Sequence, residues 1–252
     1  MPVMRTFLYR TYQLLVCLPV LVVATLLTAI ATILGCTFGR ASFWAYWPAC
    51  LWSRLMCRVP LLEVEVVGRE KLDRRCSYVF VANHQGPYDI FLIYGYLGQD
   101  FRWLMKKELR SIPLLGKACE RAGHIMVDKS GPKAIARTQQ QARETLRQGT
   151  SIVVFPEGSR TFTGHMARFR RGPFMLGHQL HLPIVPMTID GSFEVLPRQK
   201  GLFFVNHHKL RLVIHDVIPY REDLDGIMNE AYEAIERDLP AHLHGYVPNP
   251  DQ

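Results

Sequence analysis

The chain of 252 residues is short of several signals that would assign it elsewhere. It has six cysteines, at 17, 36, 50, 57, 76 and 119, and no CxxC pair. That spacing excludes a disulfide framework and points to reduced thiols acting as small hydrophobes in a cytosolic setting, Cys76 and Cys119 as core residues among them. There is no GxSxG elbow and no Walker-type loop. The histidine groups His178-x-x-His181, His207-His208 and His242-x-His244 have no cysteine or carboxylate that completes a zinc spacing, so no metal is expected. No Lys/Arg-rich run with interleaved aromatics occurs, so nucleic acid is not an expected partner. Repeats and low-complexity segments are absent. Charge is missing from one long stretch altogether: nothing between Thr11 and Gly39 is ionisable as Asp, Glu, Lys or Arg.

That stretch is what the chain has instead. Leu14 to Leu34 is almost wholly apolar, long enough for a membrane span and longer than the usual core of a signal peptide. An aromatic stretch follows, Phe43-Trp44-Ala45-Tyr46-Trp47 and then Leu51, Trp52, Leu55 and Met56, of the composition that suits a membrane interface. We therefore expect residues 1–60 to be a membrane anchor, with an apolar helix over 14–34 and an interfacial helix over 41–57. Arg5 and Arg10 flank one side of it and Arg40, Arg54 and Arg58 the other, so the positive-inside rule chooses no orientation. A helical hairpin dipping in from one face fits both flanks, ahead of a single full span. The net charge of +8 suits an anionic membrane surface or a phosphorylated substrate.

From Leu61 the pattern alternates. Strands are expected at 61–67, 78–82, 101–105, 124–127, 151–155, 183–189 and 210–214, with helices at 90–97, 117–122 and 223–239 and a tail from Pro240. Another helix is expected from a Ser130 cap, with Pro132 in its first turn, to Gln148, closing on Gly149 and turning Ile135, Ala142 and Leu146 to a core. Its Arg137, Arg143 and Arg147 read as a solvated face. Strands alternating with helices predict an α/β fold over residues 61–252: a mainly parallel sheet flanked by helices, with sites at the strand ends.

Two turns carry chemistry. In Asn83-His84-Gln85-Gly86-Pro87-Tyr88-Asp89, His84 and Asp89 are five residues apart. On one helix they would stand about 140° apart, at about 100° per residue. Gly86 and Pro87 place His84 in a strand-to-helix turn and Asp89 in the helix's first turn, so the imidazole can bend back onto the carboxylate. Such a pair is the minimum for a general base; a turn histidine beside a capping aspartate is the alternative. In Phe155-Pro156-Glu157-Gly158-Ser159-Arg160-Thr161 a buried strand delivers an acid, a glycine and an arginine to one turn, suited to an anion. The alternative there is a β-turn with a surface arginine.

Together with Gly123-x-Ile125-x-Val127-Asp128 and Leu182-Pro183-Ile184-Val185-Pro186, these turns resemble the four ordered blocks of the glycerolipid acyltransferases, above all the 1-acyl-sn-glycerol-3-phosphate acyltransferases, over about residues 61–220. The resemblance implies acyl transfer from acyl-CoA or acyl-carrier protein to the hydroxyl of a lysophospholipid, with no other cofactor, in a bacterial inner membrane with the site facing the cytoplasm. It implies that His84 is the base and Asp89 its orienting partner, that Glu157, Gly158 and Arg160 bind the acceptor, and that Lys106 is a second phosphate contact. Pro183 and Pro186 would shape the strand near the acyl path. Lys129 follows Asp128 where the family often has Arg; Lys keeps the charge without the planar fork, which leaves the acceptor headgroup open. Another lysolipid, such as a lyso-ornithine lipid or lysophosphatidylglycerol, a non-catalytic lipid-binding protein and a hydrolase stay as alternatives.

Overall fold

A computed structural model describes residues 3–128, 130–198 and 204–247. Lys129 lies outside the described residues, and so does the expectation placed on it. The chain opens with α1 (Val3–Tyr12), a π-helical turn (Gln13–Cys17) and α2 (Leu18–Phe38), which run on as one long helix. After a break at Gly39 come α3 (Ala41–Trp44) and α4 (Trp47–Arg58). The contacts pair the ends of these arms in antiparallel order. Tyr9 and Tyr12 donate to the carbonyls of Pro60 and Val59, Trp52 Nε1 donates to Thr25 Oγ1, and Trp44 covers Gly35. The segment is thus a helical hairpin. Gly35 suits its closed end, since a Cβ there would run into the Trp44 ring.

The remaining elements are β1 (Val64–Val67), β2 (Val79–Ala82), α5 (Tyr88–Tyr96), β3 (Phe101–Lys106), α6 (Leu115–Arg121), β4 (Ile125–Val127), α7 (Pro132–Arg147), β5 (Ser151–Val154), α8 (Arg171–Gln179), β6 (Ile184–Asp190), α9 (Ser192–Val195), β7 (Leu210–Ile214) and α10 (Leu224–Arg237). They build a 7-stranded sheet in the order β1-β7-β6-β2-β5-β3-β4. Every pairing is parallel except β6 with β7. The expected mainly parallel α/β sheet flanked by helices is what forms. β2 and β5 lie side by side at its centre, buried on both faces, as their unbroken apolar runs require.

Alternate residues of β2 feed two cores. Phe80 and Ala82 join Leu92, Phe101 and Leu212 on one face, and Val79 and Val81 join Ile152, Phe174 and Ile235 on the other. Tyr46, Cys50 and Cys57 of the hairpin belong to the first of these cores. The expected division at residue 60 is not a gap in packing: one side of the return arm is part of the α/β core.

Several local expectations are corrected. Ser130 does not cap α7; Gly131 is its N-cap, and the Ser130 N–H donates to Asp128 Oδ1. Ala142 and Leu146 are buried, but Ile135, in the first turn of α7, is 43% exposed. Cys76 is exposed, in the loop before β2. The tail from Pro240 is anchored by the buried Leu243. Helix α8 and the short α9 had no clear sequence signal.

Candidate active site

Parallel strands place their carboxyl ends at one edge of a sheet, and both chemistry-bearing turns emerge there from adjacent strands. At the end of β2 the ladder is prolonged by a side chain. Asn83 Nδ2 donates to the Ile189 carbonyl, and the Ile189 N–H donates to Asn83 Oδ1, at 2.8 and 2.7 Å. This holds the next residue, His84, at the sheet edge. Pro87 then starts α5 and brings Asp89 into its first turn.

The His84 Nδ1 to Asp89 Oδ2 distance is 2.6 Å. The same Oδ2 accepts from the Gly86 N–H, while Oδ1 is buried with no hydrogen-bond partner among the described residues. Asp89 is fully buried; the His84 side chain keeps 16% of its surface. A buried carboxylate facing Nδ1 favours the tautomer with the proton on Nδ1, leaving the Nε2 lone pair as the base. The imidazole lies flat on Phe155, ring centroids 3.8 Å apart and planes within 7°, and Phe155 stacks in turn on Trp103. Orientation is thus set by a hydrogen bond in the ring plane and by a wall on its face. Phe155 was read only as the end of a strand.

The second turn holds the first. Glu157 Oε1 accepts from the His84 N–H at 2.6 Å, and Oε2 accepts from the Ala167 N–H at 2.7 Å. The His84 carbonyl accepts from the Thr161 N–H at 2.9 Å. Glu157 is 1% exposed. The structure spends both oxygens of this expected acceptor contact on main-chain amides inside the protein. Burial raises its pKa to about 8, the two N–H groups work against that rise, and the charge of Asp89 adds to it.

Gly158 has φ +81, a left-handed conformation that costs other residues strain, and lets the turn fold under Arg170. Arg160 is half-buried beside the pair, and among the described residues its guanidinium donates to nothing and pairs with no carboxylate within 4 Å. Lys106 ends β3, beyond β5 from β2, with an exposed side chain, so it stands at the same edge but apart from the His84 turn. The neighbouring Lys107 pairs with Asp128 at 2.9 Å. Among the described residues no cluster of three or more His, Cys, Asp or Glu could hold a metal.

A partly exposed imidazole oriented by a buried carboxylate, with an arginine beside it at the carboxyl edge of an α/β sheet, has the geometry of a general base next to a place for an anion. The chain belongs to the Acyltransferase family, whose model matches residues 63–190. It is 32% identical to the 1-acyl-sn-glycerol-3-phosphate acyltransferase of Helicobacter pylori, over 66% of this chain and 70% of that one. It is 29% identical to the protein of the same description from Chlamydomonas reinhardtii, over 74% of this chain and 56% of that one. The chain thus spans little more than half the length of such algal relatives, and 55% of a chloroplastic one from Brassica napus. In fold it matches the crystal structure of the 1-acyl-sn-glycerophosphate acyltransferase PlsC from Thermotoga maritima, with TM-score 0.76 and 21% identity, over 94% of this chain and 95% of that one.

Proposed function

We propose that the protein transfers a fatty acyl chain from acyl-CoA or acyl-carrier protein to the free hydroxyl of 1-acyl-sn-glycerol 3-phosphate, giving phosphatidic acid. The observation that carries this is the His84–Asp89 pair at 2.6 Å with its partly exposed imidazole. The descriptions of the relatives supply the substrate class. His84 Nε2 takes the hydroxyl proton as the oxygen attacks the thioester carbonyl carbon. Asp89 stabilises the imidazolium so formed. The carbon–sulfur bond breaks, and the thiolate leaves with the proton returned by His84. No acyl-enzyme intermediate is needed. A positioned base supplies about 10²–10⁴-fold, with positioning of the two substrates supplying much of the rest. Arg160 holds the acceptor phosphate, and Lys106 draws the anionic substrates to the edge.

The hairpin is read as the membrane anchor. It offers one helix, Met4–Phe38, long and apolar enough to cross a bilayer, with mean hydropathy 2.7 and little of its apolar window buried. Leu15, Leu18, Val23, Leu27 and Leu34 of its outer face are exposed, at a cost in water of about 1.5–3 kcal/mol for each such side chain. Two of its hydroxyls are satisfied within the helix: Thr25 and Thr37 donate to the carbonyls four residues before them. Because α4 is tied to the sheet, we place the hairpin in one leaflet, with the site at the cytoplasmic face of a bacterial inner membrane where both thioester donors occur.

The test is acyl transfer by the detergent-purified full chain from labelled palmitoyl-CoA, or palmitoyl-carrier protein, to lysophosphatidic acid. Labelled phosphatidic acid from the wild type, and at least a hundredfold less from His84→Ala, is expected. Equal product from both removes His84 from the chemistry.

A further inference from the structure

One loop at the site's edge of the sheet is turned outward along its whole length. Lys106 ends β3, and the chain runs through a 3₁₀ turn (Lys107–Ser111) to α6. Every residue from Lys106 to Leu114 is exposed, and Leu109, Ile112 and Leu114 keep 37, 42 and 42% of their surface open. The main chain of the loop is closed on itself. Ser111 Oγ donates to the Glu108 carbonyl, the Ile112 N–H to that of Leu109 and the Gly116 N–H to that of Ile112. Gly116 lets the chain return so closely that a Cβ there would stand 2.1 Å from the Arg110 carbonyl oxygen. The loop is therefore a fixed knuckle, and it holds three large apolar side chains outward.

The backbone at Leu114 is strained to do so. It stands at φ +61 and ψ −49, and the Leu115 N–H donates across it to the Pro113 carbonyl at 2.7 Å. That is a γ-turn of the rare kind, in a region that glycine enters freely and leucine does not. Stability alone would favour glycine there, so an exposed leucine is explained by what its side chain meets outside the chain. The flanks say what that is. Between residues 106 and 117 the charges are Lys106, Lys107, Arg110 and Lys117 against one acid, Glu108. Lys107 and Arg110 lean back onto Asp128 and Glu120, and Lys106 and Lys117 stand at the two ends. Apolar side chains ringed by cations fit the boundary between headgroups and acyl chains of an anionic bilayer. The knuckle also lies on the hairpin's side of the sheet, since α6, which leaves it, packs on α2.

We propose that the knuckle bearing Leu109, Ile112 and Leu114 is a second membrane contact, separate from the hairpin, that dips these side chains into an anionic leaflet. β3 is parallel to β5, and β5 to β2, so the knuckle leaves the same sheet edge as the His84 and Glu157 turns. With the hairpin along one face of the sheet, a lipid contact at this edge fixes the tilt of the molecule. It holds the His84 turn toward the leaflet from which a lysolipid acceptor arrives. The purpose of the contact rests on the acyl-transfer reading above; the contact itself is tested apart from that reading and from the reading of the hairpin as an anchor.

In the experiment the full chain is reconstituted in vesicles of phosphatidylglycerol and phosphatidylcholine, some of the latter carrying a diazirine on its acyl chain. Photolabelled residues are mapped by mass spectrometry, and label on the Leu109–Leu114 stretch is expected. Label on the hairpin alone overturns the proposal and leaves the anchor reading standing; label on the knuckle alone does the reverse. Label spread equally over α7, which packs on the other face of the sheet, overturns it as well. Equal knuckle label in vesicles of phosphatidylcholine alone overturns the assignment to an anionic surface. Label that reaches the knuckle only from acyl-carrier protein bearing the same diazirine overturns it in favour of a dock for the thioester donor. Leu114→Gly and Ile112→Ser supply the functional arm. KM for lysophosphatidic acid presented in vesicles rises about fivefold or more, while the rate on a short-chain acceptor dissolved as monomers is unchanged. Glycine accepts φ +61, so the Tm of Leu114→Gly in detergent equals or exceeds that of the wild type. A lower Tm shows a leucine that holds the fold and overturns the proposal, and so does an unchanged vesicle KM. If the wild type transfers no acyl chain, the acyl-transfer reading fails by itself, and the photolabelling still decides on the knuckle.

Discussion

The turns after β2 and β5 look alike in sequence and differ in what they do. Each follows an apolar strand, each contains a glycine and a proline, and each carries an acid and a base of opposite sign. The strands are neighbours, and both turns leave the sheet at the same edge. Yet the first keeps its imidazole partly open, while the second buries its carboxylate on the backbone of the first. A charged residue in a motif can face the substrate or face the protein, and burial with hydrogen-bond bookkeeping tells which. By that criterion Asp89 and Glu157 are both interior carboxylates, one acting on a side chain and one on the main chain. Arg160 is the residue of the second turn proposed to face the substrate.

Substitutions can break this contrast. The largest effect is expected at Asp89. Asp89→Asn retains an oxygen for the His84 and Gly86 donors but removes the charge that stabilises the imidazolium, so kcat should fall by about 10²–10⁴ with little change in KM. Steady-state kinetics with lysophosphatidic acid varied would show it, and a pure KM effect would place Asp89 in binding instead.

Glu157 comes next, and its effect should be on folding and kcat together. Glu157→Ala leaves two buried N–H donors without acceptors, at about 1–3 kcal/mol each. Denaturant unfolding should report that loss, and activity should fall through kcat as the His84 backbone loosens. A mutant of wild-type stability with a raised KM would return Glu157 to the acceptor site. The same residue predicts a pH dependence. A folded-state pKa raised to about 8, against 4.5 unfolded, means that the folded chain holds a proton the unfolded one has lost. Its contribution is complete below 4.5 and disappears as pH rises through 8, so stability should decline over that window. Glu157→Gln, which does not ionise, should flatten that decline.

The smallest effect is expected at Phe155. Phe155→Leu keeps the strand end apolar and removes the flat wall behind the imidazole, a stacking contribution of about 0.5–1.5 kcal/mol. A fall in kcat of about threefold to tenfold at unchanged Asp89 chemistry would sharpen the assignment of orientation to two independent contacts. No change would leave the hydrogen bond to Asp89 as the sole orienting contact.

Much of the fold was legible because its signals are local. An apolar run of four or five residues ending in a Gly-Pro turn is a buried parallel strand with a site at its end, and β2 and β5 are both of this kind. The long uncharged run is a helix by composition alone. The His84–Asp89 pair was legible because Gly86 and Pro87 act on the few residues between the partners. What failed was also local in cause. Ser130 has the chemistry of a cap, but Gly131 takes the N-cap, its φ of 163 being extended backbone that any residue adopts, and the sequence had no means to say which of two adjacent residues would enter the helix first.

The amino-acid sequence by itself determined the strands, most of the helices, the two polar turns and the long apolar helix, since each depends on neighbours within one turn or one strand. Only the tertiary structure decided who holds whom. The Gln13 side chain exchanges two hydrogen bonds with the main chain of Val205, fastening the N-terminal helix to a loop 192 residues away. Glu157 reaches the His84 amide across 73 residues, and Arg198 reaches the Arg160 carbonyl across 38. Such pairings follow from the order of strands in the sheet, which brings β2, β5 and β6 side by side, and no periodicity in the chain records that order.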